Sequence, residues 1–388
     1  MEIRSIYMDH AATTPVRAEV VEAMLPYLKG EYGNPSSLHG AGRRARDAVE
    51  RAREKVAASI GAAPQEIVFT SGGTESDNLG VIGAMQAMEK KGRNHLITSA
   101  IEHHAVSHSA SLLRQRGFDV TIVKVGEGGQ IDPRRVEESL RSETGVVSVM
   151  MANNETGTIQ PIAQVAKFLE GRETLFHTDA VQAVGKVPVD VSALGVDMLS
   201  ISSHKLHGPK GVGALYMKKG SLLAPLLVGG PHEFGRRAGT ENVPGIVGFA
   251  LALDLATREL DTMSRKVAGL RDRLQERISE RIEGVALTGD PEERLPSILN
   301  IRFRGVPAEA LVVRLDEEGV AISSGSACTA ETLEPSPILL ALGLDRQEAG
   351  TAVRFSVGRD NTEAEVDRVT DLLVHIVSEL RSARSARS

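Results

Sequence analysis

Lys205 stands in the run Ser200-Ile201-Ser202-Ser203-His204-Lys205-Leu206-His207-Gly208-Pro209-Lys210-Gly211, where a strand candidate opens into a loop of small and polar residues. Hydroxyls and imidazoles there suit a phosphate. A lysine desolvated beside other cationic groups has a lowered pKa and forms Schiff bases. The alternative is a solvated loop lysine, the usual fate of that side chain. Asp179, in His177-Thr178-Asp179-Ala180-Val181-Gln182, falls at the carboxyl end of another strand candidate, where open α/β sheets bind ligands. It suits either the protonated ring nitrogen of a cofactor or the cap of a helix. Thr70-Ser71-Gly72-Gly73-Thr74-Glu75 runs from a strand into a helix and reads as an anion cradle or as an ordinary strand–helix turn. Ser323-Ser324-Gly325-Ser326-Ala327-Cys328-Thr329-Ala330 is built of small residues around the one cysteine of the chain. That thiol is either a small buried hydrophobe or a nucleophile on an arm with little to pin it.

Histidines cluster at Glu102-His103-His104-Ala105, with His108 four residues beyond His104. Two histidines at that spacing share a helix face, as zinc ligands do. No carboxylate or cysteine completes a familiar zinc pattern, so no metal is expected, and His103 is better placed for acid/base work or for covering a ring.

Such residues need a scaffold that brings strand ends together. Strands are expected at Glu66–Thr70, His95–Ser99, Asp119–Val123, Val146–Met151, Leu175–Asp179, Met198–Ser202 and Val212–Met217. Helical segments lie between several of them: Thr74–Lys90, with Thr74 and Asp77 spaced as a capping box, Ala105–Arg116 and Ile162–Glu170. This rhythm predicts a mostly parallel α/β sheet covered by helices. Arg43–Ile60 is amphipathic, and one long helix is expected from about Ile246 to Ile282. A smaller α+β unit follows, with strands at Ser297–Phe303 and Val353–Val357 and a closing helix capped by Thr362 and Glu365. The tail 381–388 has no core to join and is expected to be disordered.

Composition narrows the class. With 388 residues, 45 Lys+Arg against 51 Asp+Glu and 3% aromatics without Trp, the chain lacks the basic surface and stacking platforms of a nucleic-acid binder. No apolar run reaches the ~18 residues of a spanning helix. The N-terminal stretch shows no signal peptide, and a single cysteine fits a reducing, cytoplasmic compartment.

In this order the motifs resemble the cysteine desulfurases of the NifS/IscS type, pyridoxal 5'-phosphate (PLP) enzymes of the aspartate-aminotransferase fold, fold type I. The resemblance runs from Tyr7-Met8-Asp9-His10-Ala11-Ala12-Thr13-Thr14-Pro15 to about Leu380. Its most specific stretches are Gly33–Ser37, Thr70–Asn78, Asn153–Gly157, Ser202–Gly211, Arg237–Asn242 and Ser323–Thr329. It implies that Lys205 binds PLP covalently, Asp179 pairs with the ring nitrogen, Gln182 bonds the phenolic oxygen and His103 covers the ring and moves protons. Gly73, Thr74, Ser202 and His204 would hold the phosphate, with Thr240 reaching in from the other subunit of a homodimer. Asn154, also among the cofactor contacts, and Arg354 would hold the substrate carboxylate.

The implied reaction takes L-cysteine to L-alanine. Lys205 removes the Cα proton, and the Cys328 thiolate takes the sulfur as a persulfide. Cys328 then passes it to an acceptor or scaffold in iron–sulfur cluster assembly or thiolation. Selenocysteine lyase and aminotransferase are the competing chemistries; an aminotransferase has no use for the thiol. A sulfur-relay scaffold without activity has no use for Lys205, Asp179 and His103 together. Ser203 and Gly73 occupy places where other members of the family often carry glycine or alanine, and the C-terminal tail is short, which bears on scaffold docking. The fold implied is a large PLP domain at 15–255 and a small domain from 1–14 and 256–380.

Overall fold

The computed structural model describes residues 5–325 and 335–385. The strands, in chain order, begin with β1 (Ile6–Tyr7), β2 (Ile67–Thr70), β3 (His95–Ser99) and β4 (Asp119–Val123). β5 (Thr144–Ser148), β6 (Leu175–Asp179), β7 (Met198–Ser202) and β8 (Gly213–Met217) follow. The last third adds β9 (Val285–Leu287), β10 (Ile298–Phe303), β11 (Val320–Ala321) and β12 (Ala352–Ser356). A seven-stranded sheet has the order β2-β8-β7-β6-β5-β3-β4. Only β8 runs against the rest, pairing antiparallel with both β2 and β7. Every residue of β2, β3, β5, β7 and β8 is buried, as expected where helices cover both faces of a parallel sheet.

Helices form where the apolar stripe demands them. Gly40–Ser59 buries Ala45, Val49, Ala52 and Val56 and packs on Val243–Arg258. The Thr74–Lys90 segment is less regular than a single α-helix: it starts at Gly73, passes through a π turn at Leu79–Gly83 and resumes over Ala84–Glu89. Thr74 therefore lies inside the first turn and not at the cap.

The single helix expected from Ile246 to Ile282 is two, Val243–Arg258 and Leu260–Arg281, parted at Glu259. Glu259 has φ −89° and ψ 0°, and its side chain accepts from Arg17 Nη1 at 2.8 Å. The first of the two helices packs on the large sheet's core. The second packs on the closing helix Glu363–Ser385 and a separate core around β10 and β12. The closing helix has the expected reciprocal cap, Thr362 N to Glu365 Oε2 at 3.0 Å and Glu365 N to Thr362 Oγ1 at 3.3 Å. It continues past Leu380, so 381–385 is helical and not disordered, with Arg381 Nε donating to Arg304 O at 3.1 Å, while 386–388 lie outside the described residues.

Candidate active site

The parallel strands deliver their carboxyl ends to one edge of the large sheet, and the residues singled out lie just beyond those ends. Gly73 and Thr74 follow β2, His103 follows β3, Asn154 follows β5, Asp179 and Gln182 close β6, and Ser202, His204 and Lys205 close β7. With Arg354 from β12 they line one cavity of about 250 Å³, together with Ala11, Ala12, Asp77, Met150 and Val181. The topology explains the gathering: segments far apart in sequence meet because each strand ends on the same edge.

Lys205 Nζ donates to Ala11 O and Ala12 O, both at 2.6 Å, so the N-terminal segment holds the amine at the cavity wall. His103 is half-buried, and its pKa is lowered to about 4, first by burial and then by Lys205. It is neutral at pH 7. Its Nδ1 accepts from Ala105 N at 3.1 Å, which assigns the ring proton to Nε2. His204 is lowered to about 4 by burial and by Lys205, and its Nδ1 meets Thr13 Oγ1 at 3.2 Å.

Asp179 is buried, accepts from Val181 N at 2.9 Å, and has its pKa raised by desolvation. Asp77 lies behind it, raised still more strongly by burial and by the neighbouring Asp179, with one carboxylate oxygen unpartnered. His177, lowered to about 3 by burial, supports this layer through Ser148 at 2.9 Å and Ser200 at 3.0 Å. Asp77, His103 and Asp179 offer ligand atoms within 4.8 Å of one another, inside the same cavity.

Arg354 is buried at 2% exposure and oriented on two sides. Nη2 donates to Asp9 Oδ1 at 2.7 Å and Nη1 to Asn154 O at 2.9 Å, while Nε and the side-chain oxygen of Asn154 have no partner. Arg354 also pairs with Ser323 through two backbone bonds, Arg354 N to Ser323 O at 2.8 Å and Ser323 N to Arg354 O at 3.2 Å. The chain thus enters the cysteine-bearing segment from beside this guanidinium. It returns at the helix Pro337–Ala341, where Ile338 and Leu342 pack on Ile101 and Met150, residues of the loops after β3 and β5.

Among the described residues, one expected site residue is not brought to the cavity. Thr240 is exposed and lies outside its lining. Cys328 lies outside the described residues. His104 and His108 do share a helix face, Nδ1 to Nε2 at 3.2 Å, without a third ligand among the described residues. Sequence reasoning missed the roles of Asp77, Asp9 and Ala11. Asp77 had a signal in the Thr-Glu-Ser-Asp-Asn run but was read as part of a cap; Ala11 contributes only its carbonyl, which no side-chain pattern announces.

The class-V aminotransferase family model matches residues 6–369. The chain is 47% identical over 379 residues to "Cysteine desulfurase IscS" of Dictyoglomus turgidum, across 98% of this chain and 96% of that protein. Among solved structures it is similar to a "NIFS-LIKE PROTEIN" at 38% identity and TM-score 0.89, across 98% of this chain and 99% of that one. It is also similar to "SspA in complex with cysteine" at 37% identity and TM-score 0.81, across 91% and 99%. The chain belongs to the class-V aminotransferase family. Its cofactor is pyridoxal 5'-phosphate.

The cavity fits that group. Asp179 is a buried carboxylate in the cavity lining, where a protonated ring nitrogen would be its counter-charge. At the other end a Cβ added to Gly73 would lie 2.9 Å from Val181 Cγ2, so glycine keeps the helix start open where a phosphate would meet backbone N–H groups.

Proposed function

We propose that the chain is a cysteine desulfurase, converting L-cysteine to L-alanine and passing the sulfur through Cys328. The observation that carries this reading is the meeting of Lys205, Asp179 and His103 in one cavity with Arg354, whose backbone pairs with Ser323, where the chain sets out toward its only thiol. Lys205 would hold PLP covalently, Asp179 its ring nitrogen and Gln182 its phenolic oxygen. Gly73, Thr74, Ser202 and His204 would hold the phosphate. When bound, the cofactor supplies a cationic ring that accepts electrons from the substrate's Cα.

The chain's own groups do the rest. Arg354 Nε, which has no partner, would donate to a substrate carboxylate together with the amide N–H of Asn154, and Asp9 keeps the guanidinium plane in place. The Lys205 amine, near the carbonyls of Ala11 and Ala12, takes the Cα proton. The Cys328 thiolate attacks the substrate sulfur: an S–S bond forms, the C–S bond breaks, and its electron pair stays with the three-carbon fragment. Neutral His103, with its proton on Nε2, serves proton movement to that fragment. The persulfide then goes to an acceptor in iron–sulfur assembly or thiolation.

We also place the enzyme in the cytoplasm as a homodimer. Tyr32, Leu38 and Val228 are 82%, 83% and 84% exposed, which favours their coverage by a second copy. Thr240, exposed outside its own cavity, suits a role in the partner's.

Borohydride reduction tests the cofactor assignment. Purified wild type should be yellow, make alanine and sulfide from L-cysteine with a thiol reductant, and after reduction carry the pyridoxyl group on Lys205. Lys205→Ala should lose colour and activity. A label on Lys210 would overturn the assignment.

A further inference from the structure

Just behind the cavity stands a lysine with no carboxylate beside it. Lys186 lies in the turn after β6 and is half-buried, with its ammonium turned toward Gln182. Nζ donates to Gln182 Oε1 at 2.9 Å, and among the described residues no ion pair joins it. Lys186 also lines a second, smaller cavity of about 80 Å³. The titratable groups lining that space with it are Lys205, His10, His207, Arg17, Arg359 and one acid, Glu259. That acid is already taken by two bonds from Arg17, at 2.8 and 3.0 Å. From the active-site side Arg354 adds a further positive charge. A packing role would be met more cheaply by methionine, because an unpaired buried ammonium is costly.

The hydrogen bonds show what the charge does. An amide's two ends are distinguished only by what surrounds them. Here Lys186 can only donate, so it takes Oε1 of Gln182; Ala11 O can only accept, so it takes Nε2, at 2.9 Å. The second N–H of Nε2 is then left for the cavity that Gln182 lines. Ala11 O also receives Lys205 Nζ at 2.6 Å, so one chain of contacts runs Lys186, Gln182, Ala11, Lys205.

We propose that Lys186 is a positioning residue of the cofactor site, fixing Gln182 with an N–H toward the cofactor's phenolic oxygen and lending positive charge to the Lys205–cofactor link. This rests on the PLP reading above. Burial, then Lys205 and Arg354, lower the Lys186 pKa to about 7. An anionic phosphate and phenolate raise it again, so the ammonium is charged in the loaded site. Without Lys186 the Gln182 amide loses the donor to Oε1 and is held by Ala11 O alone, so its N–H is less firmly set toward the phenolic oxygen. Both that loosening and the lost positive charge strengthen proton binding at the Lys205–cofactor link.

The test titrates the visible absorbance of the holoenzyme against pH in wild type and Lys186→Met. The variant's midpoint should lie higher by about one pH unit, a tenfold change in proton affinity. The same substitution made in a Gln182→Ala background should give a clearly smaller increment, because part of the effect passes through that amide. A coloured, folded Lys186→Met enzyme with the wild-type midpoint overturns the proposal. Should Lys186→Met not hold the cofactor, Lys186→Gln is titrated with the same two outcomes. If neither neutral variant loads but Lys186→Arg does, the charge requirement stands; if none of the three loads, the residue's role is packing and the proposal fails. A colourless wild type would instead defeat the PLP reading itself.

Discussion

Glu102 precedes His103 and is fully enclosed, with Met150 N donating to its Oε1 at 3.0 Å, Ser99 Oγ bonded to the same oxygen, and Oε2 unpartnered. Burial raises its pKa to about 8. A carboxyl raised on folding contributes stability that is full below its unfolded value near 4.5 and is lost as pH rises through 8. Glu102→Gln cannot ionise, so its urea midpoint should gain on wild type from pH 4.5 to 8 and then run parallel. Parallel curves throughout would show that Glu102 is ionised at neutral pH. Glu102, Asp77 and Lys186 share one trait: each is a charged residue type whose importance comes from burial by distant segments, and burial of that kind leaves no local pattern. Lys205, Asp179 and Gly73 were legible because each sits at a strand end with a distinctive neighbourhood. Their meeting was implied by the resemblance and follows physically from strand order.

At the scale of elements, the helix Gly40–Ser59 is tied to the loop before Thr240 by Arg53. Arg53 Nη1 and Nη2 reach Glu233 at 2.7 and 2.9 Å, Glu233 Oε2 also accepts from Phe69 N at 2.8 Å, and the guanidinium lies 5.0 Å from the Phe234 ring centroid. Glu233 and Phe234 adopt φ of 47° and 58°, a left-handed backbone that needs such support. Arg53→Met leaves Glu233 buried and unpaired and should cost about 3–5 kcal/mol in chemical unfolding. Adding Glu233→Gln should restore part of the loss; a strictly additive double variant would argue against the pair as the cause. Strands His95–Ser99, Asp119–Val123, Leu175–Asp179 and Met198–Ser202 were legible residue for residue because their apolar runs are short and flanked by turns. The break at Glu259 was not, because no glycine or proline marks it and the apolar spacing runs on across it.

For the molecule as a whole, the two cores suggest where to divide it. We place the boundary at Glu259, with Ile6 and Met8 joining the smaller unit, whose core they share with Val353 and Phe355. The proposed homodimer predicts complementation. An inactive Lys205→Ala chain mixed with an inactive Thr240→Ala chain should regain activity in hybrids, which contain one site with native Lys205 and native Thr240. A fully active monomer at low concentration would contradict it.

The central claim is the passage of sulfur through Cys328, and peptide mass analysis after a single turnover tests it most directly. Wild type mixed with L-cysteine and no reductant should show the Cys328 peptide heavier by one sulfur atom, in step with the alanine released. Cys328→Ala should keep the cofactor colour yet release almost no alanine. Alanine formed by Cys328→Ala at the wild-type rate, or an unmodified Cys328 peptide after wild-type turnover, would contradict the account.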